Sequence, residues 1–304
     1  MHFKVTIILA TYNRANLIAE TLRSIERQTY ANFECLIIDD GGRDNTVEVI
    51  APFLEDRRFR FLKRPEYHKK GLPGCRNYGL EKAKGNYVIF YDDDDIVHPQ
   101  NLEISLKILS ENKGSHFCHF QKQSFTGDFE YNQITFIDKF NQTGTNKSIM
   151  KKMLRYEVPM ASCTVLWRKK CFNDNFFNES LQYAEEWECY QRILSTYWKG
   201  IILDCTLYYN RKHQNSNTGE FWSNNKVKNE SKRKAIILII ENLNEKNLLS
   251  PSLLKYLAGI SISCRDKPLL DKILLKAEVS LYNKTVYNFK FLCFPFYRKL
   301  KWLH

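Results

Sequence analysis

Short apolar runs rich in β-branched residues alternate with amphipathic stretches through the first hundred residues. VTIILA (Val5–Ala10), FECLIID (Phe33–Asp39) and NYVIFYD (Asn86–Asp92) carry apolar residues at consecutive positions, as strands covered on both faces do. RFRFL (Arg58–Leu62) alternates and predicts a fourth strand. Leu17, Ile18, Leu22 and Ile25 recur at helical spacing, predicting a helix capped by Asn16 and running to Gln28. A second helix is predicted from a cap at Asn45 to near Leu54, and a short third over Pro73–Ala83. Beyond Asp95 the pattern predicts helices over Pro99–Leu109 and Glu185–Tyr197, and strands over Ser162–Trp167 and IILDCTLYY after Gly200. Weak alternation within Ser115–Ile137 predicts antiparallel strands there. From Lys226 onward the pattern is helical, over Ala235–Leu243, Leu253–Cys264 and Leu269–Leu281. A boundary is expected near Gly219–Lys226, giving segments 1–219 and 220–304.

Strands alternating with helices imply βαβ units with right-handed crossovers, hence an α/β fold with a mainly parallel sheet flanked by helices. Ligands of such sheets bind beyond the carboxyl ends of the strands. Thr11–Arg14, Asp39–Asp40 and Asp92–Asp95 close the predicted strands and should therefore meet at one edge.

Composition narrows the class. A chain of 304 residues with 43% hydrophobic residues, 12 Gly and 8 Pro is neither collagen-like nor low-complexity, and it has length enough for a substantial core. Nine cysteines without a C-x-x-C pair argue against a disulfide framework or zinc ribbon and for a reducing, cytoplasmic setting. The net charge of +12 is uneven: residues 211–304 hold 18 Lys and Arg against 7 Asp and Glu. The basic excess thus sits in the predicted helical appendage, as it would for a nucleic-acid, phosphorylated or anionic-membrane partner. MHFKVTIILATYNR does not read as a signal peptide, and AIILII and FLCFPFY are far shorter than a bilayer span.

Four consecutive carboxylates, Asp92–Asp95, follow an apolar strand. Such crowding is costly without a counter-charge, and hard oxygen donors at a ligand edge suit Mg²⁺ or Mn²⁺. No G-x-G-x-x-G follows the first strand, and no P-loop or G-x-S-x-G elbow is present. His116 and His119 are spaced H-x-x-H, but in a strand they face opposite sides and make a poor ligand pair.

ATYNR after strand one, Gln28–Asp40, the G-x-x-x-x-R-N-x-G of Gly71–Gly79, GNYVIFYDDDD (Gly85–Asp95) and the later EEWE (Glu185–Glu188) occur in that order. The set resembles the inverting family-two glycosyltransferases with the GT-A fold, of the bacterial polysaccharide type, over about residues 3–215. The resemblance implies metal-assisted transfer of a sugar from a nucleotide-sugar donor to a glycan or lipid-linked saccharide. It implies donor contacts from Thr11, Tyr12 (against the base), Arg14, Asp40 (accepting a pyrimidine N–H, so a UDP- or dTDP-sugar), Arg76, Asp92 and Asp93. Asp94 is implied as metal ligand, while Asp95 is expected to point back into the fold and Asp39 to orient its loop. The segment from Tyr209 resembles a loop in which Arg211 closes over the diphosphate and His213 joins the metal, Mn²⁺ or Mg²⁺.

The general base of an inverting transfer is implied to be Glu186, where the family has Asp; the neighbouring Glu185 repels it and favours proton uptake. A non-catalytic nucleotide-sugar or nucleic-acid-binding protein on the same fold is the alternative, but the ligand edge is acidic. The tail, with Lys284, Lys290, Arg298, Lys299 and Lys301 among aromatics that include Phe289, Phe291, Phe294, Phe296, Tyr297 and Trp302, is expected to dock peripherally on an anionic membrane, or to pack on the protein. Pro295 is expected to break it.

Overall fold

The computed structural model describes residues 4–145, 148–212 and 226–301. In chain order the elements are β1 (Val5–Thr11), α1 (Ile18–Glu26), β2 (Phe33–Asp39), α2 (Thr46–Ile50), β3 (Phe59–Lys63), α3 (Leu72–Lys82), β4 (Tyr87–Asp92) and β5 (Ile96–Val97). They continue with α4 (Asn101–Glu111), β6 (Phe117–Phe125), β7 (Gln142–Gly144), α5 (Ile149–Leu154), β8 (Val165–Arg168), α6 (Glu185–Leu194) and β9 (Gly200–Arg211). Among the described residues four helices follow: α7 (Lys226–Glu245), α8 (Pro251–Ser263), α9 (Lys267–Lys276) and α10 (Leu281–Lys301).

One sheet runs in the order β3-β2-β1-β4-β8-β6-β9-β5, with β7 also on β9. Its first four strands are parallel, as expected. The second half is mixed: β8 is antiparallel to β4 and β6, β6 is parallel to β9, and β5 and β7 are antiparallel to β9. Ser115–Ile137 accordingly contains one strand, antiparallel on one side and parallel on the other. Alternation fixes which face a residue takes, but not the direction of its neighbour.

The consecutive apolar positions of β1, β2 and β4 are explained by burial on both faces. Ile8, Leu36, Ile38, Val88 and Phe90 face a core built with α3, α5, α6 and the C-terminal helices. Ile7, Leu9, Cys35, Ile37, Ile89 and Tyr91 face another built with α1 and α4. Residues of α7, α8 and α9, among them Ile239, Leu257 and Ile273, share the first core with Trp187 and Tyr190.

Two predicted caps are replaced by neighbours. Asn16 does not cap α1; the turn is instead closed on the Arg14 carbonyl, which accepts from the backbone of Leu17 and Ile18. Asn45 flanks α2 without a side-chain bond, and Asp44 takes that part, accepting from Thr46 N at 3.1 Å. Pro52 then turns the expected continuation into a 3₁₀ segment. Pro295 does not break α10, which continues helical past it. A proline removes one donor and crowds the carbonyl four residues back, here that of Phe291, whose buried side chain anchors this turn to the core. All nine cysteines are free, and no helix among the described residues is long and apolar enough to cross a membrane.

Candidate active site

Strand order reverses at β1, which lies between β2 and β4, so a crevice opens beyond their carboxyl ends. The register sets Ala10 opposite Asp92 and Thr11 opposite Asp39. The three polar strand ends therefore meet at one edge.

The segment Gly71–Gly79 serves that edge residue by residue. Gly71, at φ 121°, occupies a conformation open to glycine, and its N–H donates to Asp40 Oδ2 at 2.9 Å. Asp40 Oδ1 pairs with Arg64 Nε at 2.5 Å, and the carboxylate lines the crevice with acceptor sites to spare. Asp39 orients the loop as expected, accepting from Gly42 N at 2.9 Å. Asn77 ties the helix to the Phe177 backbone in both directions, at 2.9 Å each. Gly79 packs so closely on β1 that an added Cβ would meet Ile8 Cγ2 at 2.5 Å.

Arg76, the fourth motif residue, is buried beside Asp92 and Glu185 and does not line the cavity of Tyr12 and Asp40. Its guanidinium donates to Glu185 Oε1 at 2.7 Å and Ser162 Oγ at 3.0 Å and lies 3.8 Å from Asp92. Burial pulls its proton affinity down, but Glu185, Glu186 and Asp92 together raise it.

Arg14 clamps the acidic loop, with Nε 3.1 Å from Asp93 and an Nη 3.6 Å from Asp94. Burial nonetheless pushes the Asp93 carboxyl up to about 7, against the pull of Arg14. Burial also raises Asp92, despite Arg76, and Asp95, where Asp92 and Asp94 add repulsion. Asp95 points inward, accepting from Arg211 N at 2.7 Å. Arg211 braces this loop: its side chain donates to the carbonyls of Asp94 (3.1 Å) and Gly127 (2.5 Å) and pairs with Glu20. In the structure, then, its guanidinium meets protein acceptors. His213 lies outside the described residues. His119 donates to the Thr164 carbonyl and takes no part in the site.

The candidate base stands across the crevice. Ala184, at φ 62° and ψ 22°, turns the chain sharply into α6, a conformation costly for a residue with a side chain. Glu185 and Glu186 follow. Glu185 is buried and pushed up to about 8, by burial first and by Glu186 second, with Arg76 opposing. Glu186 is half-buried and lines the cavity.

Two cavities adjoin here. One, of about 450 Å³, is lined by Thr11, Tyr12, Arg14, Asp40 and Asp93 together with Lys70 and Lys228. The other, of about 260 Å³, is lined by Arg76, Asp92, Glu185 and Glu186 with Lys122, Tyr156 and Trp187. Leu72 and Gln182 belong to both walls. Sequence reasoning missed Lys70 and Lys228. Lys70, whose Nζ lies 4.3 Å from the Tyr12 ring centre, precedes the glycine of the motif and was within reach of it. Lys228, on α7, gave no signal. It arrives because Ser231 Oγ accepts from Gln182 N and Tyr183 N at 2.9 and 3.0 Å and donates to the Tyr183 carbonyl at 2.7 Å.

A crevice at the point of strand reversal, with an acidic loop on one side and a facing carboxylate on the other, is the candidate active site of an α/β fold. Residues 6–177, more than half of the chain, match the profile of Glycosyl transferase family 2, and the chain belongs to that family. An uncharacterized glycosyltransferase of Rickettsia felis is 32% identical over 60% of this chain and 29% of its own length. The Escherichia coli UDP-Glc:alpha-D-GlcNAc-diphosphoundecaprenol beta-1,3-glucosyltransferase WfgD is 37% identical over 36% of this chain and 42% of its own. The chain thus spans less than half the length of these curated relatives. Staphylococcus aureus TarS 1-349 in complex with UDP-GlcNAc shares the fold, at TM-score 0.66 and 20% identity over 96% of this chain and 81% of that one. A Pyrobaculum calidifontis mannosyltransferase in complex with GDP-Man and Mn²⁺ aligns at TM-score 0.57 and 14% identity over 93% and 77%. The GT-A fold is therefore that of this chain.

Proposed function

We propose that the protein transfers a sugar, with inversion, from a nucleotide-sugar donor to a hydroxyl of a glycan or lipid-linked saccharide, and that a UDP- or dTDP-sugar is the donor. The adjoining cavities carry this reading, because they set a nucleotide-sized space beside a carboxylate across a shared wall. Tyr12 offers a ring face to a base, Asp40 retains acceptor capacity for a pyrimidine N–H, and Lys70 and Lys228 bring positive charge suited to a diphosphate. The TarS complex with UDP-GlcNAc and the named UDP-Glc-dependent relative favour the same donor class.

In the transfer, the acceptor oxygen bonds to the anomeric carbon as the bond from that carbon to the diphosphate oxygen breaks. The leaving nucleoside diphosphate takes the electron pair, and the acceptor proton passes to Glu186. Glu185 keeps Arg76 in place beside it, and Arg14 holds the acidic loop in register. The donor set fits a hard divalent cation in part: oxygens of Asp92 and Asp95 gather within 4.8 Å of each other and of Cys163 Sγ. The thiol, raised by burial, is the unsuited member. Following the D-x-D pattern, Asp94 would hold Mn²⁺ or Mg²⁺ with Asp92 close by. The metal would supply charge neutralisation of the departing diphosphate.

We also propose peripheral attachment to an anionic membrane through α10. Leu281, Tyr282, Phe289 and Leu292 are exposed along one side of the helix, while Phe291 packs inward.

A donor panel tests the reading: UDP-, dTDP- and GDP-sugars are scored for nucleotide release with Mn²⁺, with Mg²⁺ and with excess chelator. Release from a UDP- or dTDP-sugar that chelation abolishes is expected. Release from GDP-sugars alone overturns the donor assignment, and release undiminished by chelator overturns the metal.

A further inference from the structure

The reaction cavity contains an aromatic surface that the transfer chemistry leaves unused. Tyr156 follows α5, and its backbone sits at φ 59° because the chain closes the helix there. Its N–H bonds to the Met153 carbonyl at 3.0 Å, and that of Glu157 reaches back to Lys152 at 2.9 Å, the double closure of a Schellman cap. The position favours glycine, so the tyrosine is there at some conformational cost. The cap throws the ring toward α6, where it stacks on Trp187 at 5.9 Å between centres and 15° between planes. Trp187 is buried and adjoins Glu186, whereas Tyr156 remains 51% exposed and lines the cavity. One ring is thus backed and held by another, with its own surface still open beside the candidate base.

A pyranose ring presents a patch of C–H groups on one face and hydroxyls around its rim. Ligand sites pair such faces with rigid aromatic surfaces, and use a few polar groups to fix orientation. Here the aromatic wall is continued by Met153 and Met160, and Glu186, Gln182 and Lys122 are the polar groups about it. The donor-side residues Tyr12, Asp40 and Lys70 line the neighbouring cavity, beyond Leu72 and Gln182.

We infer that Tyr156, backed by Trp187, is the platform for the acceptor's sugar ring, so that the acceptor is a pyranoside whose attacking hydroxyl is delivered to Glu186. The inference rests on the transfer reading proposed above. Tyr156 is a specificity-determining residue and is not itself part of the chemistry.

The probe is a panel of octyl α- and β-pyranosides of glucose, galactose, N-acetylglucosamine and mannose, each added to enzyme with the donor that supports nucleotide release. At least one glycoside should accelerate release. Tyr156→Ala should raise the KM for that glycoside about tenfold, Tyr156→Phe should leave it near the wild-type value, and calorimetry should find the same UDP affinity in all three proteins. An unchanged KM in Tyr156→Ala overturns the platform, as does a Phe variant as impaired as the Ala variant. Loss of UDP affinity in Tyr156→Ala would make the residue a support of the fold and also overturns it. If nucleotide is released but no pyranoside accelerates it, the acceptor class is wrong. If the wild type neither binds nor releases nucleotide, the transfer reading itself has failed.

Discussion

Arg76 and Glu185 meet at 2.7 Å with their side chains only 5% and 6% exposed, and this contact joins the acidic side of the crevice to the helix bearing the candidate base. One guanidinium faces three carboxylates: it donates to Glu185, lies 3.8 Å from Asp92, and has its own proton affinity raised by Glu185, Glu186 and Asp92. Above about pH 8, where Glu185 is ionised, removing it strands buried negative charge. Arg76→Met should cost about 3–5 kcal/mol of stability, the scale for breaking a buried pair from one side, measured as a lower urea midpoint at unchanged slope. Arg76→Lys keeps the charge but loses the fork that spans Glu185 and Ser162, and should fall between the two. A midpoint unchanged in Arg76→Met would mean that the contact is dispensable.

Glu185 should also set a pH dependence of stability. Its carboxyl, ordinarily near 4.5, is pushed up to about 8 by burial and by Glu186. The folded state therefore holds a proton that the unfolded chain has released, and the resulting stabilisation is complete below about 4.5 and lost as the pH rises through about 8. The Tm of the wild type should decline across that range, and Glu185→Gln should flatten the decline. Parallel profiles for the two proteins would show that the proton is held elsewhere.

Glu186→Gln keeps the shape of the side chain and removes its capacity to take a proton. Turnover should fall by about 10²–10⁴, while calorimetry finds UDP binding nearly intact. Loss of donor binding would move Glu186 to the donor site, and unimpaired turnover would leave another carboxylate as base.

Much of this site was legible because parallel-sheet topology is local. Each βαβ unit places a strand end at the same edge, so Thr11, Asp39 and Asp92 could be brought together from hydrophobic pattern alone, and the structure does so through the β1 registers. The motif from Gly71 to Gly79 was legible as a string, but its physics was not. That Gly71 bonds Asp40, or that Arg76 faces Glu185 across 109 positions, depends on contacts that no periodicity encodes. Tyr156 and Lys228 were invisible for the same reason. The first depends on a helix cap turning a ring toward Trp187, and the second on Ser231 docking α7 against Gln182 and Tyr183. Direction of pairing in the second half of the sheet was equally out of reach, since β6 has opposite senses to its two neighbours.

The base-side cavity can be divided with two ligands. Asp40→Ala should weaken uridine and UDP alike, by the roughly 1.5–3 kcal/mol of a charge-assisted hydrogen bond. Lys70→Ala and Lys228→Ala should weaken UDP and leave uridine unchanged, since both cations are assigned to the diphosphate. Calorimetric titration of each variant with both ligands separates the two roles. Equal loss of both ligands in Lys228→Ala would place that residue in the packing of α7, and wild-type preference for GDP would overturn the pyrimidine assignment.

Membrane docking turns on the two sides of α10. Phe291 is buried, with the Arg265 guanidinium 5.9 Å from its ring centre, and Tyr287 and Phe294 pack on the same core. Part of the aromatic tail therefore packs on the protein, and deleting the helix would confuse docking with folding. Leu281, Tyr282, Phe289 and Leu292 lie within about 100° of arc on the other side at 3.6 residues per turn, all more than half exposed. Lys284 and Lys290 fall outside that arc, with Lys290 Nζ 5.4 Å from the Tyr287 ring centre, so the positive charge comes from the basic excess of the whole region and not from this face alone. Each lysine near anionic lipid contributes about 1 kcal/mol, and the apolar side chains add burial at the headgroup boundary. Tyr282→Ser, Phe289→Ser and Leu292→Ser combined should abolish co-sedimentation with vesicles containing phosphatidylglycerol while leaving the Tm near the wild-type value. Raised salt should weaken the wild type's binding, and vesicles of phosphatidylcholine alone should bind little of it. Co-sedimentation retained by the triple variant, or indifferent to both salt and anionic lipid, would show that this face is not the one that meets the membrane.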